Sequence, residues 1–94
     1  MIPAEKLSSV TKYLEANFPE LTVTDFFNSD LMVHVFYLEG ESKQVSFKHA
    51  FFEDKSVPDI EAILEKSRIV DFLKNVEPAT ILVDENGNIT VSRQ

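Results

Sequence analysis

The chain has 94 residues, 44% hydrophobic and 27% charged, which is the balance of one globular domain with a single core and not of a disordered segment. Sixteen Asp and Glu against nine Lys and Arg give a formal charge of −7, which repels phosphate backbones and anionic lipid and argues against nucleic-acid binding by direct phosphate contact. Cysteine is absent, so disulfides, a thiolate nucleophile and a thiolate zinc site are excluded, and a reducing cytoplasm suits the composition.

The first residues, Met1-Ile2-Pro3-Ala4-Glu5-Lys6, lack the basic stretch and apolar run of a signal peptide. No apolar segment approaches the ~20 residues that span a bilayer, so no membrane association is expected. Leu7, Val10, Leu14 and Phe18 recur at spacings of three and four, which predicts an amphipathic helix opened by Pro3 and closed by Pro19. Leu21 to Phe27 reads as a short strand, with Asn28-Ser29-Asp30 supplying a turn.

From Leu31 to Leu38 both alternation classes are apolar, the pattern of an interior strand. Lys43 to His49 follows as a half-exposed strand with Val45 and Phe47 on its apolar side. A two-residue turn at Gly40-Glu41 pairs Phe36 with Val45 and His34 with Phe47.

Ser56-Val57-Pro58-Asp59 predicts a capped helix start, followed by Ile60, Ile63 and Leu64. The later apolar set, Ile69, Phe72, Leu73 and Val76, is half a turn out of phase with the first at 100° per residue, so a kink or break is expected near Lys66-Ser67-Arg68. Thr80 to Ser92 reads as a hairpin. Of its two registers, apolar pairing selects a three-residue loop with Gly87 in the left-handed region, which sets Ile81 and Val83 beside Val91 and Ile89. The expected fold is a single α+β domain over 1–94. Its order is α-β-β-β-α-β-β, with a mainly antiparallel five-stranded sheet and two helices on one face.

Glycine occurs only at 40 and 87, both in expected turns, so no glycine-rich loop cradles a phosphate. No local signature aligns Ser, His and Asp for nucleophilic catalysis, and neither an enzyme nor a cofactor is expected. His34 and His49, the only histidines, fall on one face of the predicted hairpin and are the candidate metal ligands, with Glu53, Asp25 or Asp30 available as a third. The competing expectation is two imidazoles hydrogen-bonded or solvated at the margin of the apolar face.

Eight phenylalanines include the adjacent pairs Phe26-Phe27 and Phe51-Phe52. Neighbours on a strand point to opposite faces, so one of each pair is expected outside a one-sided core. Phe51-Phe52-Glu53-Asp54 joins aromatics to acids in an expected loop, and with Phe26 and Phe27 forms a candidate surface for a basic partner. Burial of Phe51 and Phe52 beneath the second helix is the other expectation. A homodimer is one way to cover the second apolar face of Leu31–Leu38.

The element order is similar to that of bacterial type III secretion chaperones, small acidic dimeric α+β proteins that bind an extended stretch of a secreted partner. That family continues into a closing helix after the second hairpin, and shared order alone transfers no function. Ser29-Asp30-Leu31-Met32-Val33-His34 and Tyr37, with the later acidic Asn-Gly hairpin, resemble a short stretch of the phage inhibitor of uracil-DNA glycosylase, over fewer than ten positions. The reading these observations support is a small, acidic, non-enzymatic interaction domain (adaptor, chaperone or inhibitor) for a basic or amphipathic protein. A metal protein or enzyme using His34 and His49 is the alternative.

Overall fold

Helical periodicity at the N-terminus becomes α1 (Ala4–Asn17), which buries Val10 and Leu14 and delivers Phe18 to the core. The computed structural model describes residues 2–40, 43–67, 69–75 and 79–92. After α1 come β1 (Val23–Asn28), β2 (Val33–Leu38) and β3 (Lys43–Lys48), an antiparallel meander. Phe36 pairs with Val45 and His34 with Phe47, as alternation required; Glu41 and Ser42 of the expected turn lie outside the described residues.

Beyond β3 the chain forms α2 (His49–Glu53), α3 (Val57–Lys66) and α4 (Ile69–Asn75), then β4 (Ala79–Val83) and β5 (Ile89–Ser92). The architecture is α+β with one five-stranded sheet in the order β1-β2-β3-β4-β5. Three of its pairings are antiparallel and β3–β4 is parallel. The parallel pair needs a crossover to carry the chain back, and α2, α3 and α4 supply it.

Two expectations are corrected. One helical segment is additional to the two expected helices, the second of which lies in two pieces, α3 and α4: His49–Glu53 coils into α2 instead of ending a strand and entering a loop. β3 is also less exposed than its polar alternation suggested, since Ser46 is buried along with Val45 and Phe47. α3 opens on a capping box, in which the Ser56 hydroxyl accepts from the Asp59 N–H and the Asp59 carboxylate accepts from the Ser56 N–H. It ends at Lys66, where Ser67 takes extended angles (φ −74°, ψ 162°) and its N–H donates to the Ile63 carbonyl. Ile60 and Leu64 therefore sit on one helix and Ile69 and Leu73 on another; Arg68, and Val76 of the expected apolar set, lie outside the described residues.

One continuous core joins Val10, Leu14 and Phe18 of the first helical region to Phe51 and Phe52 of α2, Ile60 and Leu64 of α3, and Ile69 and Leu73 of α4. All of these pack on the same alternation class of the sheet, Phe36, Leu38, Val45, Phe47, Ile81 and Val83. Val33 and Val35, on the other class, lie outside that cluster although each is buried. The second hairpin takes the three-residue-loop register, with Ile81 beside Val91 and Val83 beside Ile89, and Gly87 has φ +84°. Asp84 closes the turn, its carboxylate accepting from the N–H groups of Asn86 and Asn88 at 2.9 Å each. These bonds, the Asn88 backbone's first, hold the Asp84 carboxyl below its ordinary range.

Candidate functional site

The large hydrophobic residues left exposed among the described residues are Phe26 (44%), Phe27 (43%), Leu31 (70%), Met32 (51%) and Tyr37 (37%). All belong to the β1–β2 hairpin. β1 is an edge strand, with no neighbouring strand on one side among the described residues, and Phe26 and Phe27 project to opposite faces of the sheet. Phe26 stacks on Tyr37 with ring centroids 5.5 Å apart on the face away from the helices. The turn between the strands is held by the Asn28 carboxamide oxygen, which accepts from the N–H groups of Asp30 and Leu31. That turn lifts Leu31 and Met32 out of the sheet, with Met32 in the left-handed region at φ +53°. A non-glycine side chain there carries backbone strain.

Acidic groups fringe this surface. Asp25 lies on β1 between Thr24 and Phe26, Asp30 is in the turn, and Glu39 accepts a hydrogen bond from the Thr24 hydroxyl at 2.9 Å. Asp25 shares the helix-side face with Phe27, while Phe26 and Tyr37 occupy the opposite face, so exposed aromatic surface lies on both sides of the hairpin, with a carboxylate on the helix side.

Phe27 also caps the two histidines, its ring centroid 4.7 Å from that of His34 and 5.8 Å from that of His49. Beneath it His34 Nε2 is 3.2 Å from His49 Nδ1, and His49 Nε2 is 3.1 Å from a Glu53 carboxylate oxygen. His49 reaches this position because the β2–β3 ladder runs one bond further, its N–H donating to the Met32 carbonyl, before α2 begins. Phe52 closes the far side of His34 edge-on. Lys6 of α1 shares a shallow groove with His49 and Glu53 and donates its ammonium to the Phe52 carbonyl.

One arrangement of protons satisfies both contacts. With His49 Nε2–H given to Glu53, a neutral His49 offers bare Nδ1, which accepts from His34 Nε2–H. Burial, reinforced by the like charge of His49 and partly offset by Asp25, pushes the His34 pKa down, so His34 stays neutral at neutral pH. The sequence placed these two histidines together correctly; Glu53 joins them through His49. Among the described residues no group of three or more His, Asp or Glu converges to hold a metal ion.

Of the residues expected to meet a partner, Phe26 and Phe27 are exposed and share one hairpin, whereas Phe51 and Phe52 are fully buried core. The correction has a simple cause: α2 turns both aromatics inward, where they pack on Phe47 at 5.1 and 5.7 Å. Glu53 and Asp54 remain exposed but without an aromatic centre. Leu31 and Met32, the most exposed apolar side chains, were missed because they extend an apolar run that reads as strand. Their place directly after Asn28-Ser29-Asp30 is the signal that could have marked them as turn.

A separate groove between α1 and α3 is lined by Glu5, Lys12, Tyr13, Glu61 and Glu65, a mixed and mostly polar surface. No helix of the described residues is long and apolar enough to cross a membrane. Comparison with protein-family models, curated proteins and solved structures finds no match to this chain.

Proposed function

We propose that this chain is a non-enzymatic protein-interaction domain of the cytoplasm that docks a basic, amphipathic partner on its β1–β2 hairpin. One observation carries the reading: every large exposed hydrophobic among the described residues lies between positions 26 and 37. Scattered exposed apolar residues need no explanation, but a set confined to the two faces and the turn of one hairpin does. The formal charge of −7 and the rim of Asp25, Asp30 and Glu39 favour a cationic partner and speed its encounter. A second copy of the chain is the competing occupant of the same surface. The test is calorimetric titration of a cationic amphipathic peptide into the native chain and into a Phe26→Ser, Leu31→Ser double variant. Tight binding only by the native chain supports the proposal, and equal binding by both removes it.

The Glu53–His49–His34 chain supports a second reading, a metal or proton-transfer site centred on the imidazoles. Titrating zinc while following both histidine ring signals tests it. Unchanged signals eliminate the metal site.

A further inference from the structure

We infer that the partner binds as an added strand along β1, an extended segment basic on one side and apolar on the other; this rests on the interaction reading above. β1 pairs with β2 over its whole length, Val23–Asn28, and no strand lies on its other side among the described residues. An edge strand presents a row of unpaired N–H and C=O groups, a template for a further strand. The exposure pattern marks the open stretch. Thr24, Asp25, Phe26 and Phe27 are exposed in succession, on both faces, while Leu21 and Val23 still pack on the core. At the other edge, β5, Ile89 and Val91 are half-buried against the core and alternate with exposed Thr90.

Edge strands are ordinarily blunted by proline, lysine or a bulge. Val23–Asn28 contains no proline or lysine, and its register with β2 advances one residue at a time without a bulge. Its only charge is Asp25, and that charge selects the occupant. Pairing β1 with a two-fold copy of itself in a continuous sheet sets Asp25 opposite or diagonal to its own equivalent, and joins two chains of formal charge −7. A cationic strand reverses both terms. Its basic face meets Asp25 and lies over the Phe27 ring, where an ammonium gains cation–π attraction, and its apolar face continues the Phe26 and Tyr37 stack.

The experiment uses an acetylated, amidated alternating valine–lysine decapeptide and the same peptide N-methylated at every residue, which keeps charge and side chains but removes the backbone donors. Binding is read by calorimetry, and amide hydrogen exchange at residues 24–28 is measured with and without peptide. Strand addition predicts that the parent peptide binds and slows exchange along β1, that methylation weakens binding by about tenfold or more, and that Asp25→Lys weakens it likewise. Equal binding of both peptides overturns strand addition but leaves the hairpin as an interaction surface. Failure of both to bind removes the two proposals together. Protection of β1 amides in peptide-free protein that sediments as a dimer assigns the edge to a second copy and overturns the inference.

Discussion

Nε2 of His34 and Nδ1 of His49 stand 3.2 Å apart, one hydrogen bond between two imidazoles, with Glu53 fixing the outer ring. Burial, and then the repulsion a charged His49 would exert at this distance, disfavour a proton on His34. The groups facing the pair are Glu53 on α2, Asp25 on β1 and Lys6 on α1.

The depressed His34 pKa has a stability consequence with a definite sign. The unfolded chain takes up this proton near pH 6.5, the folded chain only at lower pH. Stability is therefore complete above about 6.5 and falls as pH drops below it, until the folded protein also protonates His34. Urea midpoints measured from about pH 7.5 to about pH 5 should decline in the native chain and decline less in His34→Phe. Parallel slopes for the two proteins would contradict the assignment.

Core and surface phenylalanines should separate cleanly. Phe47→Ala or Phe52→Ala removes a fully buried ring and is expected to cost about 3–5 kcal/mol, a large part of the stability of a domain this size. Phe26→Ala, on the exposed edge strand, is expected to cost no more than ~1 kcal/mol, mainly the lost stack on Tyr37. Chemical denaturation of the three variants checks the order, and a Phe26 variant as unstable as the Phe52 variant refutes the surface placement.

Met32 combines an exposed apolar side chain with a left-handed backbone. Met32→Gly relieves about 1 kcal/mol of strain while loosening the unfolded chain by a comparable amount, so its melting temperature should stay close to native. The same substitution deletes part of the surface proposed to dock the partner. Undiminished affinity for the cationic peptide in a fully folded Met32→Gly protein would show that the turn takes no part in binding.

Gly87→Ala should be more damaging than Gly40→Ala. Both glycines have positive φ, so each substitution incurs about 1–2 kcal/mol of backbone strain. A Cβ on Gly87 would also stand 3.2 Å from Ile63 Cγ2 on α3, whereas on Gly40 its nearest contact is Leu21 Cδ2 at 3.7 Å. Thermal melts of the pair test this ranking.

Strand register was legible because alternation is strict there: moving Phe36 or Ile81 by one residue would turn each to the wrong face. The capping box at Ser56 and the turn at Gly87 were legible because each demands particular residues. α2 was not. Five residues are too short to display a 3.6-residue period, and the β-forming Phe51-Phe52 pair points away from helix until the core claims both rings. The parallel β3–β4 contact was equally hidden, since it depends on where three helical segments return the chain. For the site, local sequence brought His34 and His49 together, but which phenylalanine pair stays in solvent is decided by α2 burying one and the sheet edge exposing the other.

Chemical-shift mapping of the backbone amides during titration with the valine–lysine peptide tests the β1–β2 surface most directly. Perturbations concentrated at Phe26, Phe27, Leu31, Met32 and Tyr37, with the α1–α3 groove unaffected, are the expected result. Saturable shifts centred on Tyr13, Glu61 and Glu65 instead, or none anywhere at millimolar peptide, would contradict the assignment of the hairpin as the docking site.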